Sequence, residues 1–291
     1  MFRGSIVPII TPFKEGELDL DALAELIEWQ IESGSHGISV QGTTGEPASL
    51  TLDERKQVIK TSAEVINGRV PFIPGSGSVH HGETLELSRY AEEVGADGLL
   101  LISPYYLRPS QEGIYQHFDA VAKQTDLPII LYNIPGRTAV NIEIDTVARL
   151  KDANDNIVGV KESNKDFEHI NRLLQKMGRD FGVYSGIELL CFPILAIGGA
   201  GYVSATGNLM PKEIANLYNL VEAGKWQEAQ DLHYSMMTLN DAIFFEINPV
   251  PVKTILGMMG KCSSEVRLPL APVSEANRQR LEVIAQDYGL I

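Results

Sequence analysis

Short apolar segments alternate with longer amphipathic segments along the whole chain. Segments such as 98–102 and 128–132 are apolar at almost every position, which is typical of parallel strands covered on both faces. Parallel strands need crossover connections, usually helices, so the alternation predicts repeated strand–helix units. We predict eight strands, at residues 6–10, 37–41, 70–75, 98–102, 129–132, 157–161, 182–185 and 201–204.

The segments between these strands carry apolar residues three and four positions apart, the spacing of an amphipathic helix. Thr51 followed by Glu54 matches a capping box and predicts a helix that begins at Leu52. We predict crossover helices at residues 19–32, 52–66, 82–94, 111–125, 144–151, 166–177, 188–197 and 211–222. After the eighth unit, further helices are predicted at residues 226–240, 252–259 and 274–288.

Eight consecutive strand–helix units indicate an α/β fold closed as a (β/α)8 TIM barrel. We assign residues 1–223 to a catalytic barrel and residues 224–291 to a helical C-terminal extension, because no further strands follow. No repeat, low-complexity tract or linker separates the two parts, which favours one compact unit.

The charge balance excludes several classes of partner. The 291 residues include 24 Lys and Arg against 38 Asp and Glu, a net charge of −14, which opposes nucleic acids and anionic membranes. The longest apolar run, 189–197, is too short to span a bilayer, and the N-terminus lacks the features of a signal peptide. With two cysteines and no C-x-x-C spacing, a reducing, cytoplasmic location is expected.

The histidines do not form a metal motif. None of the six has H-E-x-x-H or comparable spacing, and His80-His81 falls at a predicted loop-to-helix boundary, where a surface position is expected. No P-loop, nucleophile elbow or dinucleotide-binding motif is present. We therefore predict neither a metal nor a cofactor.

Polar residues at the carboxyl ends of the strands are the first candidates for chemistry, because active sites of this fold form there. Gly-Thr-Thr-Gly-Glu at 42–46 is either an ordinary turn or a cradle of N–H and hydroxyl groups for a carboxylate. Tyr106 follows the fourth strand, Tyr132 ends the fifth and Arg137 comes five residues later. A single tyrosine at such a place usually packs, but two with an arginine nearby favour proton transfer beside a bound carboxylate.

The sixth strand runs directly into Lys161. A lysine at a strand end is usually solvated, but here the apolar strand would draw its stem into the barrel mouth. Desolvation there disfavours the ammonium and leaves a fraction of free amine, which can attack a carbonyl carbon. The strand therefore makes Lys161 a candidate Schiff-base nucleophile.

Three segments taken together are specific: Gly42-Thr43-Thr44-Gly45-Glu46, Tyr132-Asn133-Ile134-Pro135-Gly136-Arg137-Thr138 and Val160-Lys161-Glu162. They resemble the dihydrodipicolinate synthase/N-acetylneuraminate lyase family, and the likeness covers essentially the whole chain. Arg137 and the Pro104-Tyr105-Tyr106 segment are similar to the dihydrodipicolinate synthase branch. The resemblance implies a lyase that condenses pyruvate with L-aspartate 4-semialdehyde in lysine and diaminopimelate biosynthesis.

The resemblance also implies roles for individual residues. Lys161 would form an imine with pyruvate, and Tyr132 would relay protons. Tyr132 would be linked through Thr43 to Tyr106 of a neighbouring subunit, so a homotetramer built as a dimer of dimers is expected. Thr43 and Thr44 would hold the pyruvate carboxylate and Arg137 that of the second substrate. The backbone of Gly186 and Val203 completes the predicted substrate-binding set.

Some positions depart from that branch and leave the second substrate open. Ile187 stands where an acidic residue is common, although Glu188 beside it could compensate. The segments 162–165, 185–188 and 257–260 resemble a sister group that acts as an aldolase on 2,4-dihydroxyhept-2-enedioate, releasing pyruvate and succinate semialdehyde. A non-catalytic regulatory barrel is the remaining alternative, and the presence of the lysine, tyrosines, threonines and arginine argues against it. We favour the synthase.

Weak feedback by lysine is a further expectation. Lysine-inhibited relatives carry polar groups just after the Gly-Thr-Thr-Gly-Glu loop and at the start of the third helix, where this chain has Leu52, Arg55 and Val79. Leucine and valine side chains cannot hydrogen-bond an amino acid, and a guanidinium would repel its ammonium.

Overall fold

Seven parallel strands form the central sheet of the computed structural model, which describes residues 2–291. In chain order, the strands are β1 (Gly4–Pro8), β2 (Phe13–Lys14), β3 (Glu17–Leu18), β4 (Gly37–Ser39), β5 (Leu99–Ile102), β6 (Ile129–Asn133), β7 (Ile157–Glu162), β8 (Gly182–Ser185) and β9 (Gly201–Val203). The sheet order is β4-β1-β9-β8-β7-β6-β5, while β2 and β3 form a separate antiparallel hairpin that the sequence analysis missed.

The predicted third strand, at residues 70–75, is not a regular strand. Pro71 and Pro74 have no N–H group to donate, so a continuous ladder cannot form there. The segment instead makes single bridges, Phe72 with Ile38 of β4 and Gly75 with Leu100 of β5. These bridges join the two edges of the sheet and complete the predicted barrel.

Helices surround the sheet. They are α1 (Leu20–Glu32), α2 (Leu52–Ile66), α3 (His81–Glu93), α4 (Gln111–Ala122), α5 (Pro135–Thr138), α6 (Ile144–Ala153), α7 (Phe167–Met177), α8 (Cys191–Ala196), α9 (Pro211–Glu222), α10 (Trp226–Ser235), α11 (Met237–Ala242), α12 (Val250–Met258) and α13 (Glu275–Asp287). The capping box at Thr51 and Glu54 is present as predicted, with Thr51 Oγ1 accepting from the Glu54 N–H at 3.2 Å.

Two helix predictions were wrong in detail. The segment 226–240 is broken at Met236 into α10 and α11 rather than forming one helix. The segment 188–197 begins as a 3-10 turn, Glu188–Leu190, and only then becomes α8. The short helix α5 was not predicted, because four residues are too few to show helical periodicity.

Side chains alternate along the barrel strands between an outer and an inner apolar layer. In β6, Leu131 packs in the outer layer against the helices, whereas Ile130 and Tyr132 lie in the inner layer. Tyr132 is paired in register with Lys161 of β7, and paired residues of neighbouring strands face the same side. The alternation therefore turns both side chains toward the barrel interior.

The C-terminal helices pack onto the same apolar core as the barrel helices. Leu239 of α11, Ile255 of α12 and Leu281 of α13 are completely buried in the cluster that also contains Leu23 of α1. The extension thus shares a core with the barrel, which places α12 close to the catalytic end. Among residues 2–291, no helix is both long and apolar enough to cross a bilayer.

Candidate active site

Lys161 lies at the carboxyl end of β7, with only 4% of its surface exposed. Its Nζ lies over the ring of Tyr132, 4.0 Å from the ring centroid. The aromatic face and the barrel interior keep water away from the amine, while the open end of the barrel lies beside it. A buried amine at this position is suited to attack a carbonyl carbon that enters from the mouth.

Gly186 makes room for the stem of this lysine. A Cβ atom at position 186 would lie 2.8 Å from Cε of Lys161 and would also collide with Oγ of Ser163. Ser163 Oγ in turn donates a hydrogen bond to the Gly186 carbonyl at 3.2 Å. The contacts explain why the residue after β8 must lack a side chain. Val203, at the end of β9, is buried in the same inner layer as Tyr132.

The predicted cradle at 42–46 contains a tight 3-10 turn, Thr43–Gly45, in the loop that follows β4, the second barrel strand. The Thr43 hydroxyl lies 3.2 Å from the Tyr132 hydroxyl, within hydrogen-bonding distance. The first N–H groups of a helical turn lack intrahelical partners, so this turn offers donors beside the two threonine hydroxyls. The arrangement can hold a carboxylate and pass a proton to or from Tyr132.

Arg137 lies at the mouth, on the short helix α5 that follows β6. Its guanidinium donates a hydrogen bond at 3.2 Å to the backbone carbonyl of Asn248. The Asn248 side chain donates at 3.0 Å to the Thr44 hydroxyl. Asn248 therefore connects the two groups that the sequence analysis assigned to carboxylates, and it was missed because 204 residues separate it from Thr44.

A cavity of about 260 Å³ opens above these groups. Its walls include Thr43, Tyr105, Tyr132, Arg137 and Asn248. Of the predicted site residues, Thr43, Tyr132 and Arg137 thus line one cavity, whereas Lys161 is not part of its wall and lies against the Tyr132 ring.

Tyr106 does not join this group within the chain. Its side chain is 89% exposed and its backbone has a left-handed conformation, φ 68°, while the neighbouring Tyr105 lines the cavity. Leu107, the next residue, is also largely exposed, at 67%. The loop therefore directs an apolar tip away from its own barrel, and the predicted contact of Tyr106 with a neighbouring subunit stays a prediction.

A buried polar network fixes the carboxyl ends of β6 and β7 from the outer side. The Asn133 side chain donates to the Glu162 carboxylate at 3.0 Å, and its carbonyl accepts from the Ile142 N–H at 3.0 Å. Burial raises the pKa of Glu162, opposed by the hydrogen bonds from His169 and Asn133. Because Glu162 adjoins Lys161 and Asn133 adjoins Tyr132, the network holds both inward-facing side chains at a fixed separation.

The histidines lie elsewhere. His80 and His81 are exposed at the start of α3, and the His81 ring lies 3.0 Å from that of His117, nitrogen to nitrogen. Among residues 2–291, no three His, Cys, Asp or Glu side chains are grouped as a metal ion would require.

Known proteins align with this chain over essentially its full length. The model of the dihydrodipicolinate synthetase family matches residues 1–288. A 4-hydroxy-tetrahydrodipicolinate synthase of Thermus thermophilus is 47% identical, with 100% of this chain and 98% of that protein aligned. The crystal structure of dihydrodipicolinate synthase from Aquifex aeolicus has a TM-score of 0.98 and 42% identity, covering 99% of both chains. The chloride-inhibited enzyme of Acinetobacter baumannii, solved in complex with pyruvate, has a TM-score of 0.97 and 40% identity over all of both chains.

Proposed function

The chain belongs to the dihydrodipicolinate synthetase family, and on that premise we propose that it is a lyase that makes 4-hydroxy-tetrahydrodipicolinate from pyruvate and L-aspartate 4-semialdehyde. The observation that carries the proposal is the buried Lys161 amine against the Tyr132 ring, at the open end of the barrel. The 47% sequence identity to the Thermus thermophilus synthase, over the full length of this chain, supports the choice of substrates.

In the proposed reaction, Nζ of Lys161 attacks the keto carbon of pyruvate, and loss of water gives an imine. The imine withdraws electrons, so a methyl proton leaves and an enamine forms. The enamine carbon then attacks the aldehyde carbon of the second substrate, whose oxygen takes up a proton. Attack by the substrate's own amino group on the imine carbon closes the ring and releases the lysine amine.

Tyr132 is the proposed proton relay for these steps. Its hydroxyl lies at the end of the ring that covers Lys161 and 3.2 Å from the Thr43 hydroxyl. A phenol held by a hydroxyl partner can donate a proton to departing water and take one back later. We assign the pyruvate carboxylate to Thr43 and Thr44, and the carboxylate of the second substrate to Arg137 at the mouth.

We further propose that the active assembly contains several copies of the chain. Tyr106 and Leu107 expose a large apolar surface on one loop, which a second copy can bury. Insertion of Tyr106 into a neighbouring site would extend the hydroxyl chain from Tyr132 through Thr43. A homotetramer of two such pairs, in the cytoplasm, is the assembly proposed.

The choice of second substrate is testable by kinetics. Aspartate semialdehyde and succinate semialdehyde differ only in the α-amino group, and that group is needed to close the ring. We expect kcat/KM for aspartate semialdehyde to exceed that for succinate semialdehyde by roughly 10² or more, as for sites built around a polar substrate group. A coupled assay with both aldehydes at fixed pyruvate measures the ratio, and equal values would favour the aldolase instead.

Sensitivity to lysine is expected to be weak. The Arg55 guanidinium is 5% exposed and is held by the Gln41 side chain and by the carbonyls of Gly75 and Gly77. The amide and carbonyl oxygens that hold the guanidinium are uncharged. Its positive charge therefore disfavours the ammonium groups of a lysine molecule nearby. Initial rates with L-lysine, and with D-lysine as the control, measure the effect. Strong inhibition by sub-millimolar L-lysine alone would contradict this expectation.

A further inference from the structure

The loop that carries Thr43 and Thr44 is held from the C-terminal extension. Asn248, just before α12, donates to the Thr44 hydroxyl at 3.0 Å. Lys253, in the first half of α12, donates to the Glu46 carboxylate at 2.6 Å. Glu46 directly follows the 3-10 turn that contains both threonines. Two side chains more than 200 positions away in sequence therefore hold the middle of one short turn, at Thr44, and the residue that ends it, Glu46.

Glu46 has a backbone conformation that needs support. Its φ of 52° and ψ of 42° are left-handed, which a non-glycine residue adopts only at a cost. The residue reverses the chain between two 3-10 turns, Thr43–Gly45 and Pro47–Ser49. The direction of the threonine turn thus depends on the side-chain contact that holds Glu46 in place.

The contact with Lys253 is fully buried. The Lys253 side chain is 0% exposed and that of Glu46 is 1% exposed. Burial raises the pKa of Glu46 and lowers that of Lys253, and the attraction between the two groups opposes both changes. Nζ of Lys253 also lies over the Phe13 ring, 4.1 Å from its centroid. The amine is therefore confined to one position by the carboxylate, the ring and the surrounding core.

Stability alone does not account for this pair. Two buried charges lose hydration, and apolar residues of similar volume often stabilise a protein equally well or better. The pair instead fixes the orientation of the Glu46 side chain, because a short hydrogen bond holds a carboxylate in place more closely than apolar packing would. Glu46 also lines the cavity, so a shift at this residue would move the wall that carries Thr43.

We propose that Lys253 is a positioning residue of the pyruvate site, acting through Glu46 on Thr43 and Thr44. The inference rests on the proposed function, since it takes the threonines to hold the pyruvate carboxylate. The 3.2 Å between the Thr43 and Tyr132 hydroxyls leaves little tolerance for a displaced turn. Loss of the pair should therefore weaken pyruvate binding more than it slows the chemistry at Lys161.

The test measures imine formation by borohydride trapping across a range of pyruvate concentrations. Two variants are compared with the wild type: Lys253→Met, and the double change Lys253→Met with Glu46→Gln, which avoids an unpaired buried carboxylate. The matched control is Lys225→Met, whose ion pair with Glu228 at 3.2 Å is more than half exposed on both sides. Thermal melting of each variant defines the temperature range in which it is folded.

Both variants should need roughly 10- to 100-fold more pyruvate for half-maximal trapping, the effect of losing one well-aligned hydrogen bond to a charged group. At saturating pyruvate the trapping rate should stay near the wild-type value, because Lys161 is untouched. The control should match the wild type throughout. If a folded variant needed no more pyruvate than the wild type, the positioning role of Lys253 would be overturned, but the imine chemistry of the proposed function would not. Absence of trapping in the wild type would instead overturn the imine chemistry of the proposed function.

Discussion

Lys161→Ala is expected to abolish turnover, with a loss on the order of 10⁴ or more, the scale seen when a covalent nucleophile is removed. Without the amine no imine forms, and the remaining groups have no electron sink through which to remove a methyl proton. Wild-type protein incubated with pyruvate and borohydride should carry one reduced pyruvate, on the peptide that contains Lys161. The variant should carry none.

The matched control is Lys165→Ala. Lys165 is four residues further on, exposed in the loop after β7, so its removal should leave both turnover and trapping unchanged. The variants should melt at similar temperatures if the methylene stem of Lys161 contributes little to the inner layer. An adduct on a lysine other than Lys161 would disprove the central assignment.

Tyr132→Phe should lower kcat by roughly 10² to 10⁴, the usual effect of losing a positioned acid–base group. The ring over the Lys161 amine is kept, so the change removes only the hydroxyl that meets Thr43. Tyr106→Phe should show a loss of similar size if its hydroxyl reaches the site of a second copy. Steady-state kinetics at saturating pyruvate measure both.

The control for this pair is Tyr115→Phe, which keeps the ring that stacks against Arg149 on the outside of the barrel. Its turnover should equal that of the wild type. If Tyr132→Phe also turned over at the wild-type rate, proton transfer would have to be assigned to other groups. A loss confined to Tyr132→Phe would argue that Tyr106 has no part in the chemistry.

The regular elements were predictable because local patterns encode them. Helix α2 begins and ends where its capping box and periodicity indicate, and β8 and α9 have the predicted bounds. The third barrel strand was misread as regular, since its apolar residues suit a strand while its two prolines prevent a continuous ladder. Hydrophobicity located the segment, and the missing N–H groups determined its form.

The proximity of the candidate site residues was predictable for a different reason. Strand ends of a parallel barrel meet at one face, so Lys161, Tyr132 and Thr43 could be expected together once their strands were placed. The contacts from Asn248 and Lys253 follow no such rule, because they depend on how a helix after the last barrel unit packs back onto the mouth. The sign in the sequence was that Lys253 lies among apolar residues in α12. A lysine in such a place is rarely buried unless its amine has a partner.

The dependence of the threonine turn on α12 also sets an order in time. The ribosome adds Thr43, Thr44, Tyr132 and Lys161 first. It adds Asn248 and Lys253, which hold the turn, only much later. A nascent chain long enough to contain the whole barrel still lacks those two contacts. The wall that carries the threonines is therefore held in place only after Asn248 and α12 have been synthesised and have packed against the barrel.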